Sequence, residues 1–115
     1  MDEKEILMSK FKICLWIDDL REPPDSSWTV ARNSETALLY LDGIRNDPSI
    51  ELEAISFDHD LGQDDTTRPV MMWLCENEFW PNKVLFHTMN PIGRVWLEGT
   101  AKRYAPCTTK VVCGR

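Results

Sequence analysis

The chain has 115 residues, 43% of them hydrophobic and five of them tryptophan, which suits one compact domain with a single core and argues against wholesale disorder. A formal net charge of −6 excludes general, sequence-independent DNA or RNA binding, which needs a basic face to displace counterions, yet it leaves room for one phosphate in a small pocket and favours bound divalent cations. No apolar run reaches transmembrane length, so no membrane is expected as a partner.

Residues 1–10, MDEKEILMSK, read as a polar leader without the apolar core of a signal peptide, and the domain proper is expected over 11–115. KICLWIDD (12–19) is a short, nearly continuous apolar run of the kind found in a strand covered on both faces. Pro23-Pro24 then forbids helix, and WTVAR (28–32), β-branched and aromatic, reads as a second strand. Asn33 or Ser34 caps a helix with the stripe Ala37, Leu38 and Leu41, and Gly43 offers a stop. Residues 54–58 form a third strand. Pro69 suits a first helical turn, Val70, Trp73 and Leu74 follow at helical spacing, and Trp80-Pro81 ends that helix. KVLFHT (83–88) is a fourth strand. Asn90-Pro91 supplies a capping side chain and then proline at the first helical position, with Ile92, Val95 and Trp96 as the apolar face. TKVVC (109–113) is a fifth strand.

This order, β-β-α-β-α-β-α-β, predicts an α/β single domain with a parallel five-stranded sheet and helices on both faces. The first connection is short and proline-rich where a parallel crossover needs a dozen or more residues, usually with a helix. Either that crossover helix is degenerate or one of the first two strands is misread. Cys14, Cys75, Cys107 and Cys113 form no C-x-x-C pair and only two histidines are present, which disfavours a zinc module. Cys14 and Cys75 read as buried thiols, free thiols are favoured over a Cys107–Cys113 bridge, and the expected location is a reducing cytoplasm.

Open parallel sheets bind ligands outside the carboxyl ends of their strands. Asp18-Asp19, Asp58-His59-Asp60 and His87-Thr88-Met89-Asn90 would converge there. Clustered carboxylates repel one another unless a cation neutralises them, and an oxygen-rich set suits Mg²⁺, or Mn²⁺ if a histidine joins. Asp18, Asp19, Asp58 and Asp60 are thus candidate metal ligands. Asp58 and Asp60 share a face if the strand continues, which turns His59 the other way. His59 and His87 are candidate proton carriers, since imidazole titrates near neutrality. In Asn90-Pro91-Ile92-Gly93-Arg94, free helix N-terminal N–H groups could hold an anion, Gly93 would admit a ligand closely and Arg94 offers a guanidinium. Plainer readings stand beside these: a solvated turn for Asp18-Asp19, packed histidines, an ordinary capped helix with an exposed Arg94, and solvated Asp64 and Asp65. A metal facing an anion cradle describes a phosphoryl site.

The Asp-Asp pair after strand one, the Asp after strand three and the Thr after strand four resemble the response-regulator receiver domain. The resemblance implies a flavodoxin-like fold, with Asp18 and Asp19 on a metal, Asp58 as nucleophile or third ligand, and Thr88 against phosphate. IDDLREPP (17–24), FDHDLG (57–62) and HTMNPIGR (87–94) together resemble, more particularly, the cyclic-phosphate-processing receiver-like family. This implies handling of a phosphate-containing small molecule or RNA end, such as a 2′,3′-cyclic RNA end or a cyclic nucleotide, in RNA repair or conflict systems including phage-encoded ones. One departure concerns the Lys that receivers carry at the end of strand five: here Lys110 stands before it and Gly114-Arg115 after, so Arg94 or Arg21 would supply the positive charge. The first receiver helix is also replaced by Arg21-Glu22-Pro23-Pro24. Three readings follow: a metal-dependent phosphoesterase-like domain with catalytic Asp58, His59 and His87 and phosphate-binding Arg21, Thr88, Asn90, Gly93 and Arg94; a non-catalytic pseudo-receiver docked on a partner protein; and, last, a phosphoacceptor receiver.

Overall fold

In the computed structural model, which describes residues 10–113, the apolar run before the first acid pair becomes strand β1 (Phe11–Ile17). It is followed by β2 (Trp28–Ala31), α1 (Ser34–Arg45), β3 (Ile50–Phe57), α2 (Arg68–Asn77), β4 (Lys83–Phe86), α3 (Pro91–Tyr104) and β5 (Lys110–Val111). The leader, apart from Lys10, and Gly114-Arg115 lie outside the described residues. All five strands are parallel, in the order β2-β1-β3-β4-β5. The expected receiver-like sheet is therefore present, and both of the first two strands are real. Their connection is a helix-free loop through Pro23-Pro24, as the degenerate crossover requires. The order reverses between β1 and β3, the place where open α/β sheets hold their ligands.

The helix layer narrows the expectation of helices on both faces. The connections β2→β3, β3→β4 and β4→β5 all run in one direction along the sheet, so right-handed crossovers put all three helices on one face. One core bears this out: Ala37, Leu41 and Ile44 of α1, Met71 and Leu74 of α2, and Leu97 and Ala101 of α3 share it with the alternate strand residues Leu15, Ile17, Ile55, Phe57 and Val84. Only β1→β2 runs the other way, and it lacks its helix. Cys14, Trp16, Trp28, Val30, Ala54 and Leu85 point to that second face, which no helix covers among the described residues.

Local capping follows the sequence, with three shifts of detail. The Asn33 side chain accepts from Thr36 N at 2.8 Å and starts α1, but Gly43 does not stop it: Ile44 is buried in the core and carries the helix on to Arg45. α2 stops before Trp80-Pro81, where Glu78 turns left-handed at φ 49°. In α3 the buried stripe is Gly93, Leu97 and Ala101, whereas Ile92 and Val95 are 77% and 71% exposed. Trp96 of the expected face does pack against the core, but Ile92 and Val95 do not: the buried stripe runs through Gly93, where His59 leaves no room for a Cβ, and Leu97. No helix among the described residues is long and apolar enough to cross a membrane.

Candidate functional site

Backbone bonds continue across the strand ends and hold three of them level. Asp18 N donates to Ala31 O at 3.1 Å, Asp58 N to Ile17 O at 3.0 Å, and His87 N to Phe57 O at 3.0 Å. Asp18, Asp58 and His87 therefore emerge side by side. The cleft above them encloses about 250 Å³. Asp18, Asp19, Asp58 and Asp60 line it, with Arg21, Thr88, Asn90 and the apolar Leu20 and Met89. His59, His87, Gly93 and Arg94 are not among its lining.

Asp18 is 1% exposed and fully engaged. Its Oδ1 accepts from Leu20 N and Arg21 N, each at 2.9 Å, and its Oδ2 from His87 Nε2 at 3.0 Å, with Arg21 Nε 3.4 Å away. Burial alone would raise its pKa, but the backbone N–H groups of Leu20 and Arg21 and then the His87 bond outweigh burial and hold it below the ordinary carboxylate value. An ionised carboxylate only accepts, so His87 Nε2 carries the hydrogen, and His87 Nδ1 accepts from the Ser56 hydroxyl at 2.7 Å. The ring stacks on Trp16 at 3.8 Å and 5°. Burial pushes the His87 pKa down, so this is a neutral imidazole with both nitrogens engaged inside the protein. Geometrically it orients Asp18 rather than facing the cleft.

Asp58 has the opposite balance. Its Oδ1 accepts from His59 N at 2.8 Å, and Thr88 lies close enough to favour its charged form. Burial nevertheless raises its pKa, and the charge of Asp18 adds to that. Asp19 completes the group: one carboxylate oxygen from each of Asp18, Asp19 and Asp58 lies within 4.8 Å of the others. Three converging oxygens, one of them on an acid with a raised pKa, fit a hard divalent cation such as Mg²⁺ or Mn²⁺. Asp60 stands apart from this group, with Oδ1 against His59 Nδ1 and Oδ2 accepting from Asn90 Nδ2, each at 2.9 Å.

The loop after β3 presses on Asp19. Gly62 has φ +78°, and a Cβ there would lie 3.1 Å from Asp19 Oδ2, so both conformation and space call for glycine. Asp65, expected to be solvated, instead anchors this loop: its carboxylate accepts from Ser34 N at 2.8 Å and Ser34 Oγ at 2.6 Å.

The α3 N-terminus is closed rather than open. Asn90 Oδ1 accepts from Ile92 N and Gly93 N, both at 3.1 Å, and Pro91 has no N–H, so the expected anion cradle is filled by its own cap. Gly93 admits His59, not a ligand: a Cβ at position 93 would sit 2.6 Å from His59 Cδ2. His59 is 6% exposed, and its Nε2 accepts from Arg68 Nε at 2.9 Å, which leaves Nδ1–H for Asp60. Arg94 pairs with Glu98 at 3.2 Å and donates to Thr88 O at 3.0 Å. It braces the turn rather than facing the cleft. Arg21, about half exposed, is the cation on the rim.

Several residues of the site escaped sequence reasoning: Ser56, Trp16, Gly62, Asp65 and Arg68, which support it, and Leu20 and Met89, which line the cleft. Register carries the signal for the first two, since Trp16 and Ser56 are paired neighbours on one face of β1 and β3, directly below His87. The sequence pattern of the cyclic-phosphate processing receiver domain matches residues 13–103, from β1 through nearly all of α3. No curated protein and no solved structure matches the chain. With both acid clusters and the β4–α3 turn inside that match, the chain belongs to the family of cyclic-phosphate processing receiver domains.

Proposed function

We propose that this protein is a divalent-metal-dependent phosphate-handling domain that binds and processes cyclic phosphates, such as 2′,3′-cyclic RNA ends or cyclic nucleotides. The carrying observation is the trio Asp18, Asp19 and Asp58, with oxygens within 4.8 Å of one another, in a cleft that also presents Arg21 and Thr88. Asp19 and Asp58 would hold Mg²⁺ or Mn²⁺, with Asp18 as the third carboxylate, fixed by three hydrogen bonds and the Arg21 ion pair. A bound divalent cation neutralises phosphate oxygens and makes a coordinated water more acidic. Arg21 and Thr88 then hold the remaining oxygens of the phosphate. A cyclic diester carries less negative charge than a phosphomonoester, so one guanidinium beside a divalent cation matches it without the receiver lysine. Lys110 opens β5 opposite Lys83, at the end of the strands away from the cleft. In ring opening, a water oxygen bonds to phosphorus, one ribose oxygen leaves and takes up a proton, and the water loses one. His87 serves this by positioning Asp18.

The test is ring opening of 2′,3′-cyclic nucleotides by the purified protein, with Mg²⁺ or Mn²⁺ and with chelator, beside Asp58→Asn. Metal-dependent turnover that vanishes in the variant is expected. Turnover indifferent to chelator and to the variant would remove the reading.

One observation favours a second reading, a pseudo-receiver adaptor: the helix-free sheet face bearing Cys14, Trp28, Val30 and Leu85. An adaptor would keep its bound protein in Asp58→Asn and lose it in Trp28→Ser, as read by co-purification.

A further inference from the structure

We propose that Leu20 and Met89 grip the flat base of a nucleotide from opposite sides of the cleft, so that the site selects cyclic nucleotides over base-free cyclic phosphates. This rests on the reading of the cleft as a phosphate site. Leu20 follows the acid pair after β1, and Met89 follows Thr88 after β4. In the sheet these strands flank β3, whose end carries Asp58. Both side chains line the cleft, yet they are 80% and 82% exposed.

Their backbones are held while their side chains stand in water. Leu20 N is bound to Asp18 Oδ1 at 2.9 Å. On the other side, the residues flanking Met89 are tied down, with Asn90 N on Thr88 Oγ1 at 3.1 Å and Arg94 on Thr88 O at 3.0 Å. A metal ion or a bare phosphate offers nothing for two such apolar groups to cover. A ligand with a flat apolar face does, and a thioether packs well against aromatic rings. Small-molecule sites combine apolar walls with a few placed polar groups, and here those groups are already on the phosphate side. Ile92 and Val95 are also exposed, but they lie on α3 outside the cleft lining, which Leu20 and Met89 share from two different strand ends. The arrangement therefore favours a small ligand held between two walls over a protein laid on one helix.

The experiment compares adenosine 2′,3′-cyclic phosphate with ribose 2′,3′-cyclic phosphate, by calorimetry in Mg²⁺. The wild type should prefer the nucleotide by roughly tenfold or more, the scale of burying part of one apolar side chain. Leu20→Ser, Met89→Ser and the double variant should lose that preference stepwise, while the base-free probe binds as before. Equal wild-type affinity for both probes, or a preference that survives the double variant, overturns the inference and leaves the phosphate reading standing. Binding of neither probe overturns both. A variant that loses both probes together shows that these side chains support the cleft instead of selecting the base, and it also overturns the inference.

Discussion

The two halves of the rim use similar materials and reach opposite ends. On the β4–α3 side, the groups that could bind an anion are satisfied by the fold: Asn90 caps Ile92 and Gly93, Arg94 braces Thr88 and Glu98, and His59 fills the space over Gly93. On the β1–β3 side, Asp18 is saturated, but Asp19 and Asp58 add acids beyond the local supply of donors, and the pKa of Asp58 is raised. A helix start or an Arg in a sequence carries no such imbalance, since its partners are usually local. What separates a binding half from a bracing half is charge the fold leaves uncompensated.

The largest effect should come from removing that imbalance. Asp58→Asn should abolish metal-dependent turnover and the Mg²⁺-induced rise in melting temperature, and it should also raise the melting temperature of the metal-free protein by about 2–5 °C. The sign follows from burial: an ionised Asp58 beside Asp18 opposes folding, and a neutral amide does not. A metal-free variant less stable than wild type would show that the site carries no stored repulsion. Next comes His87. His87→Ala leaves the Asp18 carboxylate buried without its side-chain donor and should cost about 2–3 kcal/mol in urea unfolding. His87→Gln can still donate to Asp18, so it should recover most of the stability and the turnover. If Gln restores stability but not turnover, the imidazole moves protons itself and the positioning role is wrong.

Smaller, and more specific to the acidic half, is Gly62→Ala. A Cβ at φ +78° and 3.1 Å from Asp19 Oδ2 must push the loop or the carboxylate aside. Mg²⁺ affinity should fall by about tenfold for a loss of about 1 kcal/mol in stability. A stability loss with unchanged Mg²⁺ affinity would remove Asp19 from the metal group.

The five strands, their parallel order and the acids at their ends were legible because apolar runs, prolines and strand-end charges are local signals. The acid cluster at Asp18, Asp19 and Asp58 was visible for the same reason. The stripe of α3 was legible only in part: Trp96 packs against the core as expected, but Gly93 and Ala101 weigh little in a hydrophobic count and are buried in place of Ile92 and Val95. The bond of Asp65 to Ser34, 31 residues away in sequence, and the stacking of His87 on Trp16 depend on register between distant segments. The loss of the first crossover helix was legible in Pro23-Pro24, but helices on both faces followed from alternation alone, because the direction of each crossover depends on a strand order that local signals do not carry.

The smallest expected effect tests the comparison of the two halves most directly. Both Arg21 and Arg94 read from sequence as phosphate ligands. Arg21 lines the cleft, with Nε 3.4 Å from Asp18 Oδ2 and Nη2 donating to His87 O at 3.0 Å. Arg94 sits against Glu98 and the Thr88 carbonyl, outside the lining. Arg21→Ala should therefore weaken binding of a cyclic phosphate by about tenfold, the scale of one charge-assisted hydrogen bond. Arg94→Ala should leave that affinity unchanged and lower stability by about 1 kcal/mol through the freed turn. If the two variants weaken cyclic phosphate binding equally in calorimetry, the α3 half is not closed by its own contacts. In that case Arg94 leaves Glu98 when the ligand arrives, and the rim would be one anion site rather than a binding half and a brace.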